Sequence, residues 1–180
     1  MKSKTTNRLS VLICTMLVMS SMISAQVTGD GNVVIQERDV SNFTGIVVKS
    51  GIDVMIKQGG QQSLEIKADE NLQKYIISEV EGGVLTVYVK ENTRIMRSHA
   101  MDALITVNEI SKIKVSGGGD LSAGEFKAKN ASLKLTGGSD ATIHVDENLE
   151  VEASGGSQVW VSGDPEIDAK LSGGSKVNKK

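Results

Sequence analysis

The chain has 180 residues, with 20 Lys and Arg against 22 Asp and Glu, for a formal net charge of −2. That balance argues against nucleic acid and anionic membrane as partners. With two histidines and one cysteine, neither a His/Cys metal cluster nor a Ser-His-Asp set is expected to assemble.

The first 25 residues read as a secretory signal. Lys2, Lys4 and Arg8 precede the apolar run Val11 to Met19, and small residues follow to Ser24-Ala25 before Gln26. The run is too short to span a bilayer. Cleavage is expected after Ala25, although Ile23 is larger than the usual small residue there. Cys14 lies inside the apolar run rather than at a cleavage site, so it is not placed for lipid attachment. Three cations leave with the signal, which takes the net charge from −2 to −5. Residues 26–180 then form a cysteine-free single domain whose stability must come from stacking rather than disulfides.

Within that domain, residues 26–110 are the less regular part. Short β runs occur at Val33-Val34-Ile35, Ile46-Val47-Val48, Val54-Met55-Ile56, Leu64-Glu65-Ile66 and Leu85 to Val89, bounded by Gly, Asn, Asp or Ser. Gly59-Gly60 and Gly82-Gly83 mark turns. A helix is predicted from about Glu70 to Val80, with Asp69 as its cap and Leu72, Tyr75, Ile76 and Val80 on one face. Such a helix would cover the N-terminal end of a stack of strands. Glu91 to Met101, which holds Arg94, Arg97 and His99, reads as a loop.

Residues 111–180 repeat. Ser or Thr followed by Gly-Gly occurs at Ser116-Gly117-Gly118, Thr136-Gly137-Gly138, Ser154-Gly155-Gly156 and Ser172-Gly173-Gly174, so the first glycines stand 20, 18 and 18 residues apart. Two residues before each first glycine lie Val115, Leu135, Ala153 and Leu171; four before lie Ile113, Leu133, Val151 and Ala169; four after lie Leu121, Ala141, Val159 and Val177. Polar residues fill the columns between, so each repeat reads as strand, tight turn, strand. Glycine suits a corner that needs positive φ or close backbone approach. The preceding Ser or Thr hydroxyl can bond the turn or the neighbouring repeat. Recurrence of this kind predicts an all-β, right-handed parallel β-helix-like solenoid of about 18–20 residues per coil, with one short helix capping its N-terminal half. Asn178-Lys179-Lys180 supplies a charged finish that discourages end-to-end stacking.

Few residues invite chemistry. Asp120 and Asp140 share a column, which is compatible with a carboxylate pair, a calcium ligand set, or turn-bonding side chains. Glycines cradling phosphate would need a helix directly afterwards, and β sequence follows instead. His144 stands alone in its column. Trp160 is the candidate ligand contact: with Val159 and Val161 inward it projects outward beside Thr142 and Asn178, where an aromatic among hydrogen-bonding groups can stack on a sugar or anchor a protein. Lys134, Glu152 and Lys170 form an exposed ladder of alternating sign.

Several segments together resemble a known family. They are the signal, Ser50-Gly51-Ile52-Asp53-Val54, Ala68-Asp69-Glu70-Asn71-Leu72, Glu81-Gly82-Gly83-Val84-Leu85-Thr86-Val87 and the serial Ser-Gly-Gly turns. In these the chain is similar to the putative auto-transporter adhesin head GIN domain family of secreted proteins in Bacteroidetes-type bacteria. The resemblance implies a β-helix-like solenoid with no recognised catalytic set and a suggested role in adhesion. The expected function is a non-enzymatic, exported surface or adhesion module without cofactors. It would sit in the periplasm, at the outer surface or outside the cell, and bind a glycan, a surface protein or copies of itself. A carbohydrate-binding module and a β-helix carbohydrate-active enzyme are the alternatives.

Overall fold

The computed structural model describes residues 25–180, so the expected signal lies outside the described residues apart from Ala25. The fold is all-β with one short helix. Its first strands are β1 (Ala25–Thr28), β2 (Val33–Arg38), β3 (Gly45–Val48), β4 (Asp53–Gln58) and β5 (Ser63–Asp69). A 3₁₀ helix (Glu70–Tyr75) is followed by β6 (Ile76–Glu81), β7 (Val84–Val89), β8 (Thr93–Arg97), β9 (Met101–Val107) and β10 (Lys112–Ser116). Two long strands, β11 (Leu121–Thr136) and β12 (Asp140–Ala153), lead to β13 (Gln158–Ser162), β14 (Glu166–Leu171) and β15 (Lys176–Lys179).

Two faces arise because each glycine doublet separates a strand that precedes it from one that follows. On the preceding face β7, β3, β10, the C-terminal halves of β11 and β12, and then β14 pair in parallel, while β6 extends the β7 edge antiparallel. On the following face β9, β4, the N-terminal halves of β11 and β12, then β13 and β15 pair in parallel. Strands β5 and β2 extend that face antiparallel. β11 and β12 run from one face into the other, with register shifts between Ala123 and Lys127 and between Ala128 and Asn130. The strands of both faces therefore belong to one hydrogen-bonded sheet of 13 strands, and β1 with β8 forms a separate parallel pair.

Registration stacks like on like. Ile46, Ile113, Leu133 and Val151 align across four strands, as do Val48, Val115, Leu135 and Ala153, and Val54, Leu121, Ala141 and Val159 do so on the other face. All of them belong to one buried cluster. Each large aliphatic in it gains about 1.5–3 kcal/mol by leaving water. The last repeat differs: Ala169 is exposed and Leu171 is 42% exposed, although their predecessors are buried.

The corners explain the doublets. Both residues of each pair have positive φ, from 65° at Gly173 to 90° at Gly137, and Ser50 (67°) with Gly51 (70°) makes the same corner one repeat earlier. Space is as demanding as torsion. A Cβ on Gly117 would lie 2.8 Å from the Gly51 nitrogen, on Gly155 3.0 Å from the Gly137 nitrogen, and on Gly173 2.9 Å from the Gly155 nitrogen. The working hydroxyl is mostly not the one expected before the doublet. Ser139, Ser157 and Ser175, just after it, donate back to the carbonyls of Thr136, Ser154 and Ser172, whereas Ser116 donates to Val48 of the neighbouring repeat. In the first repeat Gly119 takes that place, because a Cβ there would lie 2.1 Å from the Ile52 carbonyl oxygen.

Two sequence expectations need correction. The predicted helix from Glu70 to Val80 ends at Tyr75 as a 3₁₀ turn, and Asp69 makes no capping hydrogen bond. From Ile76 the alternation of Ile76, Ser78 and Val80 with Ile77, Glu79 and Glu81 fits a strand. That strand pairs with β7 through Gly82-Gly83, whose φ values of 56° and 75° suit a tight hairpin. Leu72 is buried and the Gln73 amide donates to the carbonyls of Val34 and Ile66, so packing against β2 and β5 holds the turn. The second correction is Glu91 to Met101, read as a loop: Thr93–Arg97 forms β8 because β1 supplies a parallel partner from far away in the chain.

The corner makes a quantitative prediction. Gly174 (φ 83°) has open space where a Cβ would go, whereas Gly155 (φ 81°) faces neighbouring backbone. Gly174→Ala is expected to cost only the left-handed torsion, about 1–2 kcal/mol. Gly155→Ala should cost a further 1–3 kcal/mol, roughly, for overpacking. Urea unfolding of both variants checks this, and equal losses would count against close approach as the second constraint.

Candidate functional site

Outward side chains on the following face fall into three parallel rows. The first contains Asp102, Asp53, Asp120, Asp140, Gln158 and Lys176. Asp53 Oδ1 accepts the backbone N–H of Asp120 at 2.9 Å, Asp120 Oδ1 that of Asp140 at 2.9 Å, and Asp140 Oδ1 that of Gln158 at 3.1 Å. These carboxylates tie one repeat to the next rather than bonding their own turns. Burial pushes the Asp53 carboxyl up against the lowering effect of the Asp120 N–H, and the charges of Asp120 and Asp102 push it further. A hydrolytic pair needs free carboxylates facing one substrate. Asp120 and Asp140 are instead engaged with backbone.

The second row holds the residues singled out in the sequence. Trp160 sits in register between Thr142 and Asn178, and all three are half-buried. Its neighbours Val159 and Val161 are fully buried, so alternation turns the indole outward. Sequence reading missed the other end of the row, where Ser122, Met55 and Leu104 continue it. A signal existed: Asp53-Val54-Met55 follows its corner as Asp140-Ala141-Thr142 follows Gly137-Gly138. Met55, Lys57, Ser122, Gly124, Glu125 and Thr142 line a groove of about 360 Å³ beside this row. Gly124 keeps the groove open, since a Cβ there would press on the Thr142 methyl at 3.2 Å.

A third row contains His144, and here the sequence expectation is overturned. Its Nδ1 lies 3.0 Å from Ser162 Oγ and its Nε2 3.0 Å from Asp146 Oδ1, so a serine, a histidine and an aspartate do form one hydrogen-bonded string. The string was hidden because Ser162 comes from the next repeat. Its aspartate is 54% exposed, unlike the buried carboxylate that orients a catalytic histidine. What the geometry provides is a ring held from both sides near Trp160.

Elsewhere Asp69 and His99 form a second acid–histidine pair. The Asp69 side chain is completely buried, and its carboxylate accepts the N–H groups of Gly31 (2.7 Å) and His99 (2.8 Å) and meets His99 Nδ1 at 2.9 Å. Asn71 adds bonds to Thr28 and Asp30, so this knot fastens the segment after β1 to the body. Burial alone would raise the Asp69 carboxyl, but the N–H groups of His99 and Gly31 and the His99 ring outweigh it and hold it at about 2.

The chain has relatives among known proteins. A family model described as putative auto-transporter adhesin, head GIN domain, matches residues 42–179. The chain belongs to that family. Solved structures similar to this head GIN chain include putative adhesins from Parabacteroides merdae and Parabacteroides distasonis. The first is 16% identical, covers 87% of this chain and 99% of its own, and has a TM-score of 0.46. The second is 17% identical, covers 86% and 100%, and has a TM-score of 0.48. A structure described as a putative lipid binding protein from P. distasonis is 16% identical, covers 86% and 99%, and has a TM-score of 0.46. No curated protein matches the chain. Among the described residues no helix is long and apolar enough to cross a membrane.

The Asp69 knot predicts a pH dependence. Its carboxyl is lowered in the fold, so its stabilisation is fully present above the unfolded value of 3.8 and is lost as pH falls through about 2. Relative to Asp69→Asn, the chain should be more stable by on the order of 2 kcal/mol between pH 5 and 7. That advantage should shrink between about pH 4 and pH 2. Urea titrations across this range test it, and a difference independent of pH would show that ionisation is not what holds the knot.

Proposed function

We propose that this chain is a non-enzymatic, exported binding module of the adhesin type, which engages a glycan through the outward row centred on Trp160. Trp160 carries the reading: it is the single tryptophan of the chain, turned outward between a hydroxyl and a carboxamide on a rigid sheet. An aromatic face with hydrogen-bonding neighbours suits a sugar ring, whose C–H face stacks while its hydroxyls are bonded at the rim. Ser162 and the fixed His144 add polar groups one step along the strands. The groove over Ser122, Gly124 and Thr142 extends the row toward Met55. The family description supports adhesion as the biological use.

The scaffold for this face is a right-handed parallel β-helix-like solenoid spanning residues 26–180, released by cleavage after Ala25 into the periplasm, to the outer surface or out of the cell. Parallel ladders in register and aligned corners support that reading. Neither a cofactor nor a metal enters it.

Binding by wild type and Trp160→Ala on a glycan array tests the function. About a tenfold or greater loss of affinity in the variant, without turnover, is expected. Unchanged binding would remove Trp160 from the site, and cleavage of any polysaccharide would overturn the non-enzymatic reading. Duplicating residues 139–156, one 18-residue repeat, tests the scaffold. The variant should fold cooperatively and lengthen by about 4.8 Å in small-angle scattering. Unfolding, or growth in another direction, would count against a solenoid.

A further inference from the structure

The outer edge of β14 has no partner strand among the described residues. This strand bonds β12 on one side only. Ser172 N donates to the Ala153 carbonyl, which fixes the alternation: even-numbered residues of β14 address β12, so Ile167, Ala169 and Leu171 point their N–H and C=O groups outward from the sheet edge. The side chains of these three residues continue the core columns, yet Ala169 is exposed and Leu171 is 42% exposed. An edge with free backbone groups and apolar side chains is a template for another strand. The neighbouring edge, β15, carries only the like charges Lys176 and Lys179, which repel a second copy, whereas β14 carries charges of both signs.

We propose that a second copy of this chain occupies the β14 edge, forming a two-fold, tail-to-tail dimer through antiparallel β14 strands. Charge selects both the occupant and the register. Because only odd residues offer free backbone groups, the two-fold axis can fall at Asp168, Ala169 or Lys170. Centring on Asp168 sets Asp168 against its own copy, and centring on Lys170 sets Lys170 against its own copy. Centring on Ala169 places Asp168 opposite Lys170 of the other chain twice, and Ile167 opposite Leu171 twice. That register leaves no like charges face to face. It also puts the Asp168–Lys170 contacts at the non-hydrogen-bonded positions, where side chains of an antiparallel pair come closest. Neither Asp168 nor Lys170 has an ion-pair partner within its own chain among the described residues. Isologous contact closes after two copies, because each β14 edge is used up by the other. The Trp160 row lies on the other face, so this assembly does not depend on what that row binds.

Sedimentation velocity of the exported chain, residues 26–180, across micromolar to millimolar concentration tests the proposal with three variants. Wild type should move from one to two chains with no larger species. Lys170→Asp or Asp168→Lys places like charges opposite each other at both symmetric contacts, and each should weaken dimerisation by about tenfold or more. The double swap Asp168→Lys with Lys170→Asp should return it to the wild-type value. Both residues are exposed, and circular dichroism confirms that each variant is folded. A monomer at all concentrations, open-ended oligomers, a dimer indifferent to Lys170→Asp, or failure of the double swap to restore it would each overturn the pairing.

Discussion

Everything in this molecule hangs on a backbone corner of positive φ that, once another corner packs against it, excludes a Cβ. Two successive residues take positive φ at each doublet, and the next repeat's corner presses its own backbone against them. An L-residue resists the first condition, and a Cβ of any kind resists the second. Ser50 shows which matters where. It tolerates φ of 67° at the first corner of the series, where the strain falls on torsion, while Gly117 above it must remain bare to approach the Ser50 and Gly51 nitrogens.

Once the corners are aligned, register follows, and register does the remaining work. Aliphatic residues stack on aliphatic residues along each inward column, which removes them from water without a thick core. The same alignment places each aspartate of the outer row under the next repeat's N–H, so a charged side chain substitutes for part of the hydrogen-bonding network at the corner. Lys134 and Glu152 meet across one step of the other face, where the lysine holds the glutamate's carboxyl below its ordinary range. Repetition thus assigns different places to different columns: burial inward, cohesion beside the corner, and outward display farther along the strand, where Trp160, Thr142 and Asn178 lie.

The two ends of the sheet are finished in opposite ways. At the N-terminal end β2, β5 and β6 run antiparallel to their neighbours, and Gln73 and Asp69 bury polar groups that fasten the 3₁₀ turn and the segment after β1. At the other end β14 and β15 remain single-sided, one alternating apolar residues with charges of both signs, the other carrying lysine charges alone. A repeat protein solves its interior once and then must solve each terminus separately. That asymmetry is where an assembly can be specified.

The four doublets and their flanking alternation determined the strand–corner–strand unit, the inward columns and the outward placement of Trp160, because period two and positive φ are local properties written into neighbouring residues. Local signals were silent or misleading where a distant partner decided the outcome. Glu91 to Met101 lacks a strand's periodicity, yet Thr93–Arg97 within it becomes one because β1 lies alongside. Glu70 to Val80 carries a helical stripe that yields after Tyr75 to pairing with β7. Asp69 resembled a cap and is instead drawn inward by Gly31 and His99. Ser162, His144 and Asp146 meet only because the register brings consecutive repeats together, and Met55 joins the Trp160 row for the same reason. Tertiary structure alone settled these points, since hydrogen bonds between remote strands outweigh the weak preferences of a short segment.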